Sequence, residues 1–278
     1  MKRLALALTA IAAFTAPALA ADMAARPYAK APAPVAAVAS WTGFWISGGF
    51  GYGMSQYQHS ENNIAAPFAL VSTGQDVGAK GWLGKVGLGY DYQFAGPYGS
   101  WVIGAFADAD WSNIGGQYSI NTAGVPANLL LASNLTGQYR SDYSWSVGGR
   151  IGYVVVPSLL TYFNGGYTQS HSKGTNYFNT NAPAAPIATG ASLAGQTRDG
   201  FFLGGGTEYA VSVLPGLFWK NEVRFSSFNN RTDAEVCTAA VGCGVGPIFT
   251  QTSRLYEQKA TTELVYRFNW GGPVVAKY

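Results

Sequence analysis

The stretch Phe44-Trp45-Ile46-Ser47-Gly48-Gly49-Phe50-Gly51-Tyr52-Gly53-Met54-Ser55 decides the fold. Phe44, Ile46, Phe50, Tyr52 and Met54 share one parity, and Ser47, Gly49, Gly51, Gly53 and Ser55 the other. Successive side chains of a strand point to opposite faces, so the stretch is a strand with one greasy face and one of glycine and serine. A helix would repeat its apolar residues every three or four positions, and this stretch does not. Beyond this strand, at about residues 42–57, the pattern recurs near 80–94, 100–113, 140–155, 159–170, 200–213, 217–228 and 255–268. Trp82, Val86, Leu88, Tyr90, Tyr92 and Phe94 oppose Lys85, Gly87, Gly89, Asp91 and Gln93. Ile103, Ala105, Ala107 and Ala109 oppose Gly104, Phe106, Asp108 and Asp110, and Tyr143, Trp145, Val147 and Ile151 oppose Ser144, Ser146, Gly148 and Arg150. Phe163, Gly165 and Tyr167 are placed outward on the fifth strand, whose facing is ambiguous. The last three set Leu203, Tyr209, Trp219, Val223, Leu264, Tyr266 and Phe268 against Glu208, Lys220, Glu222, Arg224, Glu263 and Arg267.

The sign of the alternation sets the solvent. A soluble sandwich would turn its apolar face inward and leave the charges outside. Here the polar face mixes glycine with charges of both signs, which suits a narrow enclosed lumen. A Lys or Arg facing lipid at mid-membrane costs about 2–4 kcal/mol, so the apolar face is the one assigned to lipid. Charged residues are 11% of the chain, far below the roughly 25% of soluble domains. No apolar run after the first residues reaches the roughly 20 positions of a spanning helix. The expected fold is therefore all-β: a transmembrane antiparallel up-and-down barrel, eight strands being favoured and ten not excluded. Trp41, Trp45, Trp101, Trp111, Trp145 and Trp270 are expected in the interfacial girdles.

The ends fit export. Lys2 and Arg3 precede an apolar run, and Ala18-Leu19-Ala20 is a small-x-small cleavage site, so residues 1–20 read as a signal peptide. Residues 21–40, rich in Ala and Pro, read as a periplasmic linker; 41–268 as the barrel; 269–278 as a C-terminal tail. Without Lys2 and Arg3 the formal charge falls from +3 to +1, which offers no field for nucleic acid. Long links at about 58–78, 114–139, 171–197 and 229–254 alternate with short turns at 95–99, 156–158 and 214–216. That places both termini in the periplasm and the long loops outside the cell. The expected location is the cell outer membrane.

The stretch from Trp41 through Gly53 resembles the opening strand of the small outer-membrane immunogenic proteins of alphaproteobacteria, the porin-like surface antigens related to RopB. Gly148-Gly149-Arg150-Ile151-Gly152-Tyr153, Gly204-Gly205-Gly206-Thr207-Glu208-Tyr209 and Leu264-Val265-Tyr266-Arg267-Phe268 fit the same pattern in order. The resemblance implies an OmpA-like eight-stranded barrel. One departure is that residues 269–278 follow the last strand, where many such barrels end on its Phe. Leu264, Tyr266 and Phe268 are the expected assembly signal for the barrel-assembly machinery.

The candidate chemistry is sparse. Cys237 and Cys243 are the only cysteines, and an oxidising periplasm favours a disulfide. Neither has neighbours for a metal site; no metal or cofactor is expected. Lys85, Asp91, Asp108, Asp110, Arg150, Glu208, Lys220, Glu222, Arg224, Glu263 and Arg267 are assigned to an interior network of paired charges that plugs the barrel, the alternative being a water-lined ion path. His59, with Ser60 and Glu61, and His171, with Ser172 and Lys173, are the only histidines. Both are read as loop residues, and no enzyme activity is expected. The function expected is a structural surface barrel, supporting the envelope and presenting loops, in contact with outer-membrane lipid and lipopolysaccharide. Its alternatives are a passive narrow porin for small solutes and a loop-based adhesin that takes an extracellular ligand or host surface.

Overall fold

A computed structural model describes residues 40–63, 70–120, 135–179, 187–238 and 246–268. The proposed signal peptide, nearly all of the linker, the tail, Trp270 and Cys243 lie outside these residues. The described residues form β1 (Gly43–Asn63), β2 (Leu70–Gly96), β3 (Gly99–Ser112), β4 (Gly115–Ile120), β5 (Leu135–Val156), β6 (Leu159–Ser172), β7 (Thr175–Asn179), β8 (Ile187–Leu193), β9 (Gln196–Ala210), β10 (Leu217–Phe228), β11 (Arg231–Cys237) and β12 (Gly246–Phe268). All pairings are antiparallel. β1 pairs with β2 on one side and with β12 on the other. The ring β1-β2-β3-β5-β6-β9-β10-β12 therefore closes on itself with eight strands. Closure satisfies every backbone edge, which hydrocarbon demands.

The outer face of this ring is apolar and exposed. Phe44 (64%), Trp82 (62%), Phe163 (73%) and Val223 (65%) stand on it with Leu88, Leu203 and Leu264. Water would not tolerate such a wall; acyl chains solvate it. Trp82, Trp111 and Trp145 border the band on one side, and Trp219 and Tyr266 on the other. Trp41 and Trp45 are not girdle residues. They are buried in the lumen, at 0% and 3% exposure, because Trp45 has the parity of Ser47 and not of Phe44. Glycine makes room there: a Cβ on Gly89 would lie 2.5 Å from the Trp45 ring, and one on Gly104 would strike the Asp91 carboxylate. At the short-turn end Gly216 takes φ +84°, as the tight β9–β10 connection requires.

The strands outrun the expected boundaries at the long-link end. β1 was expected to stop near 57 and reaches Asn63; β2 starts at Leu70, β5 at Leu135 and β12 at Gly246. The short strands β4, β7, β8 and β11 lie in what read as loops. With β1, β2, β5 and β12 they form a second ring, β1-β2-β4-β5-β7-β8-β11-β12, stacked on the first. We call it the collar. The hairpin β7–β8 does not enter the first ring, so the strand number there stays at eight. On collar strands the alternation inverts. Gln56 and Gln58 turn outward while Tyr57, Tyr118, Leu135, Tyr177, Phe249 and Leu255 fill the inside. Apolar-in, polar-out is the pattern of a sheet facing water, so the collar projects beyond the lipid band.

Candidate functional site

Inside the first ring the inward parity of every strand delivers charges to one column. Nearest the short turns, Arg267 bonds Asp91 at 2.6 Å and Glu208 at 2.6 Å. Arg150 bonds the same two acids, Glu208 at 3.1 Å. Four charges of alternating sign thus close a quartet whose members are at most 6% exposed. Trp45 covers it with a cation–π contact, its ring 4.9 Å from the Arg150 guanidinium, and Trp41 does the same for Arg267 at 5.3 Å.

The next layer is larger. Lys85 reaches Glu222 at 2.9 Å, Glu263 at 3.3 Å and Asp108 at 3.4 Å. Lys220 bonds Glu263 at 2.8 Å. Arg224 bonds Asp108 at 2.7 Å and Glu222 at 2.8 Å, with the Phe202 ring 4.1 Å from its guanidinium. Tyr162 and Asn164 donate to Glu222 at 3.0 and 2.7 Å. The top layer is Lys259 with Asp110 and Glu257, both at 3.1 Å. Buried ions survive only when paired, and each of these has an opposite charge within 3.4 Å; Glu257 has the ion pair with Lys259 and no hydrogen bond at either oxygen among the described residues.

All eleven charged residues assigned to the interior from the sequence lie in this column. Lys259 and Glu257 were missed. Their signal was present: both share the parity of Glu263 and Arg267 on β12. Asp108 and Asp110, two positions apart on β3, are held separately. Each takes its own cations, because Lys85 and Arg224 reach the first and Lys259 the second.

The remaining candidates separate. His59 is buried in the collar at 2%, with neither ring nitrogen hydrogen-bonded. It is not an exposed loop residue; β1 carries it inward. Burial pushes its pKa down to about 4. His171 stacks on Tyr143 and lies 3.8 Å from Asp142. The histidines sit on separate strands, each without a nucleophile held at hydrogen-bond distance among the described residues. Leu264, Tyr266 and Phe268 line the outer face of β12 at the short-turn end. Cys237 is buried at 1%, and its expected partner Cys243 is outside the described residues. A groove of about 540 Å³ is lined by outward residues, among them Phe50, Trp82 and Val223, and by Glu222 and Thr261 of the inward parity.

A closed ring with a greasy exterior and a column of paired charges inside defines the class: a transmembrane antiparallel β-barrel of eight strands. No family model and no curated protein matches the chain. Among solved structures it is similar to the outer membrane protein OprG from Pseudomonas aeruginosa, at 12% identity over 83% of this chain and 99% of that one, with a TM-score of 0.47. It is also similar to Neisserial surface protein A (10%, 82% and 98%, TM-score 0.34). A third is the outer membrane protease OmpT from Escherichia coli (11%, 81% and 97%, TM-score 0.36).

Proposed function

We propose that this chain is an outer-membrane surface barrel with a structural role, its lumen plugged by ion pairs and its collar presented outside the cell. The observation that carries the reading is the charge column. Asp91 and Glu208 are 0% exposed, Arg267 is 1% and Lys85 is 4%, so water does not reach the groups that would line a path. An eight-stranded barrel has little room beyond its own side chains. In this reading residues 1–20 direct export, the short turns face the periplasm, and Leu264, Tyr266 and Phe268 present the assembly signal. Cys237 and Cys243 close a small loop at the collar rim. The outer wall meets phospholipid and lipopolysaccharide, and the family resemblance of the first strand agrees with a surface antigen. Catalysis has no place in it, since every buried carboxylate of the column is held by a cation.

Planar-bilayer recording tests this. The refolded protein is expected to give no steady conductance. Arg150→Ala removes a charge from the quartet and opens a path, so brief openings should appear. Steady discrete conductance of the wild type would overturn the plug in favour of a pore. So would an Arg150→Ala trace and barrel stability both unchanged.

A further inference from the structure

Beyond the lipid band a chain of hydrogen bonds crosses the collar from wall to wall. Tyr118 of β4 and Tyr177 of β7 share a bond of 2.9 Å between hydroxyls. Tyr177 donates to Glu235 of β11 at 2.6 Å. The Gln251 amide of β12 donates to Glu235 at 3.4 Å and to Glu61 of β1 at 3.0 Å. Tyr57 of β1 donates back to the Gln251 carbonyl at 2.6 Å. Five collar strands are tied by this strut, and Glu61 and Glu235 are 0% exposed.

The two carboxyls are the weak point. One amide nitrogen contacts both, so they face each other at close range. The second oxygen of each has no hydrogen-bond partner among the described residues. Neither has a cation among the described residues, unlike every acid of the barrel column. The undescribed segments between strands, 64–69, 121–134, 180–186 and 239–245, contain no Lys, Arg or His to supply one. Two buried carboxylates cannot both be charged side by side, so the arrangement holds only while a proton sits between them.

We propose that Glu61 and Glu235 form a proton-dependent clasp, and that its loss as the medium turns alkaline releases β11 with the β7–β8 hairpin from the collar. The seams place the opening there. Three collar seams are thin, β2 to β4 with one residue pair and β11 to β8 and β5 to β7 with two each, and the last two flank the hairpin; β4 keeps six pairs to β5 on its other side, whereas β1 and β12 pair continuously from Phe44 to Asn63. A register break at Glu235/Val236 weakens β11 further.

Other groups facing the clasp do not change charge with it. Burial holds His59 down near 4 and lifts Tyr57 to about 12; Tyr118 and Tyr177 are likewise raised well above the ordinary range. Arg198 of β9 is engaged by Gln196 and Ser253. Burial, then repulsion by Glu235, raises Glu61 to about 9, and burial raises Glu235 to about 7. Both are raised, so the contribution of the shared proton is complete below the ordinary carboxylate value and is lost as pH climbs through about 7 to about 9.

Hydrogen–deuterium exchange on the full chain in detergent micelles, corrected for intrinsic rates, tests the clasp. Protection of residues 175–179, 187–193 and 231–237 should fall by up to about tenfold per pH unit across that window, while β10 stays protected. Glu235→Gln and Glu61→Gln keep a hydrogen-bonding side chain without the charge, and should flatten the dependence. A gel-mobility shift on boiling shows that each variant is folded. A flat wild-type profile, an equal loss in β10, or an unaltered slope in a folded Gln variant would each overturn the proposal. If neither variant folds, the wild-type comparison of collar with β10 decides alone.

Discussion

At the scale of the residue, one carboxylate shows how the lumen is held. Asp91 serves both Arg150 and Arg267. Asp91→Ala leaves two guanidinium groups sharing Glu208 alone, in a space that excludes water. Removing one partner of a buried pair costs about 3–5 kcal/mol, so the urea midpoint of the refolded barrel should drop by the corresponding amount. A change within error would mean that the quartet is hydrated and the column is no plug. The column was legible before any coordinates, because each charge occupies the inward parity of its strand. Lys259 and Glu257 lay within the strand expected at 255–268, but faces were assigned only from Glu263 onward. The tryptophans misled for a different reason. Their abundance suggested girdles, yet Trp45 carries the parity of Ser47, and a large ring is accommodated inside where Gly89 leaves space.

At the scale of the element, β1 changes solvent along its length. From Phe44 to Met54 its outward residues are apolar, and from Gln56 to Asn62 they are polar. The strand ends were misplaced because this change looks like the end of a pattern, although it is the same period with the faces exchanged. The Tyr57-x-His59-x-Glu61 parity is visible in the sequence; its meaning is not, since the partners Gln251, Glu235 and Tyr177 come from strands nearly 200 positions away or reached by long links. The lipid boundary makes its own prediction. Val223→Arg puts a cation on the exposed wall within the band and should cost about 2–4 kcal/mol. Gln58→Arg, on the outward side of the collar, should change stability by no more than about 0.5 kcal/mol. Refolding into vesicles over a urea series measures both. Equal costs would put the collar within the lipid.

At the scale of the whole molecule, two rings share four long strands, and only one of them needs a membrane. The first ring is sealed without the short strands: β6 pairs with β9 from Leu159 to Ser172, and the last pair, Ser172 with Gln196, lies where the β7–β8 excursion leaves and returns. Replacing residues 173–195 by Asn-Gly would join β6 to β9 with a two-residue hairpin turn suited to antiparallel strands. That deletion removes Tyr177 and the two seams that flank the hairpin while leaving the charge column and the lipid-facing wall untouched. Folding should therefore survive, seen as a retained gel-mobility shift on boiling and as undiminished exchange protection of residues 200–210. The collar should not survive it: β11 keeps only its pairing to β12, and its amides should exchange freely at every pH. If instead the deleted chain fails to form a heat-modifiable barrel, the rings are one cooperative unit. The collar would then be part of what closes the lumen, and not an annex carried on a barrel that stands without it.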